Sequence, residues 1–129
     1  MTFGPVSVLP QLHNKGIGTK LITQAIEVAK ELGYAAILIY GYEGYYQRFG
    51  FRHAKEYGIS NLEGKYPAAH LVLELTPDSL TDISGKAVES SVYNVDTQKA
   101  AAYDSLFPAK EKKVMPSQQV FEKATNSFL

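Results

Sequence analysis

The stretch Val6-Ser7-Val8-Leu9-Pro10-Gln11-Leu12-His13-Asn14-Lys15-Gly16-Ile17-Gly18-Thr19-Lys20-Leu21 constrains this chain more than any other. An apolar segment, Phe3 to Leu9, reads as a strand with valines at alternate positions and Pro10 closing it. The chain then turns through two glycines spaced by one residue, directly into a helix. Glycine lets a backbone approach a ligand closely and point its N–H groups outward. The first N–H groups of a helix have no partner within it, which makes a natural seat for an anion, most often a phosphate. Lys15 and Lys20 add positive charge beside that seat. The expected ligand carries phosphate.

The helix is predicted from about Gly16 to Leu32. Ile17, Leu21, Ile22, Ala25, Ile26, Val28, Ala29 and Leu32 fill one half of its wheel, and polar residues fill the other. Burying one such half against a sheet is what a strand–helix–strand unit needs, and Gly33 sits where a C′ glycine ends a helix. Two familiar glycine templates do not fit. A P-loop requires Gly-Lys-Ser/Thr, whereas Gly18 is followed by Thr19 and then Lys20. A dinucleotide fingerprint requires a third small residue where Leu21 stands.

The loop His13-Asn14-Lys15-Gly16-Ile17-Gly18 resembles the acetyl-CoA loop of the GNAT superfamily of N-acetyltransferases, Gln/Arg-x-x-Gly-x-Gly/Ala after a strand, with His13 in place of the usual Gln or Arg. Downstream, Tyr45-Tyr46-Gln47-Arg48-Phe49-Gly50-Phe51 is similar to the family's Tyr-x-x-x-Gly-Phe segment. The two matches cover roughly residues 3–75 in the family's order. The resemblance implies an α/β (α+β) fold: a GNAT-like mixed sheet with a central amphipathic helix after the glycine loop. It implies acetyl-CoA as co-substrate, no metal, and direct attack of an amine on the thioester. By the same resemblance, N–H groups from Asn14 to Thr19 (Lys15, Gly16, Ile17 and Gly18 between them) would contact the diphosphate. His13 belongs to the same loop. The backbone of Val6, Ser7 and Val8 would pair with the pantetheine arm, and the Val8 N–H would face the oxyanion. Tyr46 matches the tyrosine that protonates the departing thiolate, with Tyr45 the alternative if the register slips. A phenol with a pKa near ~10 can act as that acid if its hydroxyl reaches the sulfur. Glu43, His70 and Ser7 acting through a water are equal candidates for the general base.

Further along, Ala35 to Tyr40 is an apolar run too short for a helix and is expected as a buried parallel strand paired with the first. Glu43 to Phe49 reads as a short helix, Phe51 to Lys55 as a strand, and Tyr57 to Tyr66 as loop. In Ala69 to Leu75, Leu71, Leu73 and Leu75 alternate with His70, Val72 and Glu74, the pattern of a strand ended by Pro77. Lys86 to Tyr93 is a candidate strand. Asp96 to Phe107 is a candidate helix with Asp96 as N-cap, and Ser117 to Phe128 is a candidate amphipathic helix. The domain reading is a partial core over residues 1–80 and a C-terminal extension over residues 81–129.

In the GNAT family three strands and two helices normally precede the glycine-loop strand, and here almost nothing precedes Phe3. The fold is therefore read as truncated at its N-terminus. An uncovered apolar edge is a liability. The expected remedies are a homodimer through the first strand, completion by another polypeptide, truncation of a longer product, or cover from the extension.

Composition narrows the function classes. Lys plus Arg and Asp plus Glu both total 13 in 129 residues, which excludes the basic excess of a dedicated nucleic-acid binder. There is no cysteine, hence no disulfide, thiolate metal site or cysteine nucleophile. No stretch is long enough to span a bilayer, and the expected setting is cytoplasmic. Two readings follow. The first is an acetyltransferase acting on a small-molecule or peptide amine. The second is a CoA-binding or interaction module with weak or no catalysis. Nucleotide binding by the loop is disfavoured by its spacing.

Overall fold

A computed structural model describes residues 1–129. The helix α1 spans Ile17–Glu31 and begins one residue after Gly16, whose φ of 74° is left-handed. An antiparallel sheet follows from three strands: β1 (Ala36–Tyr40), β2 (Arg52–His53) and β4 (His70–Glu74), in the order β1-β4-β2. Between β1 and β2 lie the short helix α2 (Glu43–Tyr46) and a 3₁₀ turn over Gln47–Phe49, stopped by Gly50. A second, parallel pair joins β3 (Ile59–Ser60) to β5 (Gly85–Lys86). The extension carries α3 (Thr97–Asp104) and α4 (Pro116–Thr125).

The β1–β4 register explains the two faces. Ile37 opposes Leu73 and Ile39 opposes Leu71. These residues meet Ile22, Ile26 and Ala29 of α1, with Phe51, in one core. The alternate positions, Ala36 and Leu38 opposite Glu74 and Val72, turn to a second core with Ala54, Ile59 and Leu80. Both faces are thus covered, and the alternation read from β4 is correct.

Four expectations are corrected. Phe3 to Leu9 is not a strand. Only Met1 pairs with β1, its amine donating to Ala36 O and its carbonyl accepting from Leu38 N–H, both at 2.8 Å. Beyond it the chain splays off, leaving this backbone without a ladder partner. Ala36–Tyr40 consequently finds its partner in β4, antiparallel, because a strand pairs where an edge runs beside it over several residues. Lys86 to Tyr93 is also not a strand. Pairing ends at Lys86 and a 3₁₀ turn occupies Ser91–Tyr93. The strand read over Phe51 to Lys55 shrinks to β2, because a 3₁₀ turn takes over from Ala54.

The apolar half of α1 is wider than the sheet beneath it. Ile22 and Ala29 are fully buried, while Leu21 is 47% and Leu32 66% exposed. In the extension, Asp96 caps α3 as its sequence indicates, accepting from the N–H groups of Gln98 and Lys99 at 2.9 and 3.1 Å. No helix of the chain is long and apolar enough to cross a membrane.

Candidate functional site

Where the first segment leaves β1, a cleft of about 800 Å³ opens between it, the start of α1 and the α2 turn. Val6, Val8, His13, Asn14, Gly16, Ile17, Gly18, Thr19 and Tyr46 all line it. Of the residues singled out from sequence, Ser7 and Lys15 do not. The sequence reading missed Leu12, Tyr42 and Arg48, and from α4 it missed Ser117 and Val120.

Each wall has a local cause. The left-handed Gly16 swings the chain into α1, whose first internal hydrogen bond runs from Lys20 N–H to Gly16 O at 3.0 Å. The N–H groups of Ile17, Gly18 and Thr19 therefore stay free at the cleft's edge, with the positive end of the helix dipole behind them. His13 folds back instead of reaching outward. Its Nε2 donates to Val8 O at 2.8 Å, which closes the 3₁₀ turn of Pro10–Leu12 and fixes the proton on Nε2. This contact holds the glycine loop against the Val6–Val8 segment.

The opposite wall is aromatic. Tyr46 packs edge-on to Phe51 and Tyr45, with ring centroids 5.5 and 5.3 Å away. Its ring also lies against Gly41, so closely that no side chain could stand there. Burial raises the Tyr46 pKa, helped by the neighbouring Tyr45, so the phenol keeps its proton through the neutral range. The Tyr45 hydroxyl would lie 3.1 Å from a Cβ on Gly18, placing it on the glycine loop. Arg48 stacks over the Tyr45 ring at 4.6 Å and donates through Nε to Tyr45 O at 2.9 Å, which brings a guanidinium to the cleft. Arg48 and Tyr42 flank the tyrosine pair in sequence, and folding α2 onto the loop in advance would have found them. Ser117 and Val120 come from about a hundred residues away, with no local signal to betray them.

None of the three base candidates lines the cleft. Glu43 meets His53 Nε2 at 3.1 Å, Ser7 is exposed, and His70 lies on the far face of the sheet. No group of three or more His, Cys, Asp or Glu is placed to hold a metal ion.

A sheet from which the first segment parts beside a glycine-started helix is the fold of a GNAT domain, and residues 2–53 match the acetyltransferase (GNAT) domain family. Over those residues, about two fifths of its length, the chain is similar to that family. Among curated relatives it is 29% identical over 81 residues to an uncharacterized N-acetyltransferase, YhbS, of Escherichia coli K12, and equally to that of the O157:H7 strain. The matched part is 63% of this chain and 48% of the relative, so the chain spans about half the length of the curated relatives it matches. The crystal structure of the GNAT family N-acetyltransferase YhbS from E. coli in complex with CoA superposes with a TM-score of 0.68. It is 24% identical and covers 73% of this chain and 52% of that one.

Proposed function

We propose that the cleft binds coenzyme A as acetyl-CoA and that the acetyl group passes to an amine. The observation that carries this reading is the meeting, in one cleft, of free helix-start N–H groups, backbone at Val6 and Val8 without a ladder partner, and the protonated phenol of Tyr46. The N–H groups of Ile17, Gly18 and Thr19 suit the diphosphate, with Arg48 supplying the cation. The extended backbone of Val6 to Val8 suits an amide-bearing arm, which would complete it as an added strand. The Val8 N–H is the oxyanion donor in this reading.

The amine nitrogen attacks the thioester carbonyl, and collapse of the tetrahedral intermediate breaks the C–S bond. The amine loses a proton to solvent or to a base not assigned among these side chains, and the thiolate takes one from Tyr46. Bound acetyl-CoA supplies the acyl group; the chain's residues hold it and manage the proton. The nearby Tyr45 hydroxyl is the other candidate acid. That none of Glu43, His70 and Ser7 lines the cleft favours a second reading, coenzyme binding without turnover.

Calorimetric titration with acetyl-CoA, followed by thiol release across a panel of amines, separates the two. The first reading expects binding, turnover, and a loss of roughly 10²–10⁴-fold in rate for Tyr46→Phe at unchanged affinity. Binding without turnover supports the second, and no binding refutes both.

A further inference from the structure

The helix α4 reaches the cleft from the far end of the chain, and its two ends are held differently. Its last turn is tied to the approach to β4. Ala69 N–H donates to Ala124 O at 3.1 Å, Ala68 N–H to Ser127 O at 2.8 Å, and Leu129 N–H to Tyr66 O at 3.0 Å. Pro67 and Phe128 form an antiparallel bridge among these bonds, and the Lys65 ammonium lies 5.2 Å from the centre of the Phe128 ring. The first turn has no such tie. Met115 O accepts from the N–H groups of Gln118 and Gln119, and the Gln118 side chain accepts from Met115 N–H, so its bonds are to itself.

The chain that leads into this turn does not anchor it either. Every residue from Val88 to Met115 is exposed. Between Val88 and Val120 no hydrogen bond or ion pair reaches back to a residue before Val88. Thus α4 is a lever, hinged over Ala124 to Phe128 and free at the end whose Ser117 and Val120 line the cleft. From Ala124 to Ser117 it measures roughly 10 Å, so a tilt of about 20° carries Ser117 roughly 4 Å with no bond to the sheet broken. Val120 and Phe121 keep 42% and 39% of their surface in water. A ligand in the cleft gives that apolar surface something to cover, and so favours the tilted state over the free one.

We propose that α4 is a lid on the cleft, which swings about its Ala124–Phe128 end and closes through Val120 and Ser117 on bound acetyl-CoA. The occupant rests on the coenzyme reading above.

The chain has no cysteine, so the pair Lys30→Cys and Val114→Cys labels only α1 and the approach to the free end of α4, at two exposed positions. Double electron–electron resonance on the full chain should give a broad distance distribution that narrows, and whose mean moves by roughly 3 Å or more, at saturating acetyl-CoA. Stopped-flow release of acetyl-CoA, followed by tyrosine fluorescence, is the second readout. Val120→Ala keeps a good helix former at that position. It should speed release about two- to fivefold and leave association unchanged, because the contact it removes forms after entry. A distribution unmoved by acetyl-CoA that calorimetry shows to be bound overturns the lid and leaves the coenzyme reading standing. Unchanged release from Val120→Ala does the same. No acetyl-CoA binding in the calorimeter overturns both.

Discussion

Gly41→Ala tests whether Tyr46 owes its place to what it packs against. Gly41 follows β1 and donates to Ala69 O at 2.8 Å, and its φ is not positive, so alanine there carries no backbone strain. The obstacle is steric. A Cβ would lie 2.5 and 2.6 Å from two carbons of the Tyr46 ring, where carbon atoms settle at about 3.5–4.0 Å. The ring has to retreat by roughly 1 Å to restore contact. Phe51, 1% exposed, and Tyr45 stand on its other sides, so the retreat displaces well-packed neighbours. Overpacking of this kind costs about 1–3 kcal/mol. For 129 residues, an unfolding entropy of about 2.1 cal/mol/K per residue makes that a Tm loss of roughly 4–11 °C. Circular-dichroism melts of a double-mutant cycle with Tyr46→Ala read the effect directly. With the ring removed, Gly41→Ala should lie within about 0.5 kcal/mol of neutral. An equal loss in both backgrounds refutes the packing argument, and with it the reason given for where the phenol sits.

Gly16→Ala meets no atom within 4 Å, so its cost is the left-handed backbone alone, about 1–2 kcal/mol; Gly16→Asn should cost less, and equal losses in thermal melts would exclude strain as the cause. His13→Ala removes the 2.8 Å bond to Val8 O at an exposed site. It should cost no more than about 1.5 kcal/mol of stability and act mainly on acetyl-CoA affinity; a calorimetric Kd equal to that of the wild type would leave the ring without a loop-holding role. His70 links stability to pH. Its folded pKa is depressed by burial, so below the ordinary value near 6.5 the unfolded chain binds more protons than the folded one. That contribution is complete above about pH 6.5 and is lost as pH falls through the folded value. Urea midpoints across this range should therefore decline less steeply for His70→Phe, and parallel curves for the two proteins would count against the assignment.

The parts of the fold legible in the sequence are those whose signal is local. Gly16, the spacing of Ile22, Ile26 and Ala29, and Asp96 before α3 each state a backbone geometry within a few residues, and each appears where it was read. Pairing partners are not local. The run Ala35 to Tyr40 is equally good as a parallel or an antiparallel strand. The choice fell to β4 because the first segment leaves the sheet after one residue. The cleft divides in the same way. Its glycine loop shows in local spacing and its tyrosine pair through resemblance to a family motif, whereas Ser117 and Val120 arrive by a contact across most of the chain. His13 shows a further limit. Its position in the loop was readable, but its rotation back onto Val8 O was not, since that depends on the turn between them.

The two sides of the cleft differ in what holds them, and that difference bears on how a ligand is admitted. On one side α1 and the α2 turn stand on a core with Ile22, Ile37 and Leu71 at zero exposure, so the free N–H groups and Tyr46 are anchored by apolar burial. On the other, the Val6 to Leu9 backbone has no ladder partner. The α4 end of the chain is fastened mainly through backbone bonds, such as Ala69 N–H to Ala124 O at 3.1 Å and Ala68 N–H to Ser127 O at 2.8 Å. No residue beyond Leu80 is buried. Segments with few buried contacts open at low free energy while the core stays shut. The free N–H groups of α1 and the Tyr46 phenol are thus preorganised on the rigid wall, and adjustment to a bound ligand falls to the wall that carries Val6 and Val8.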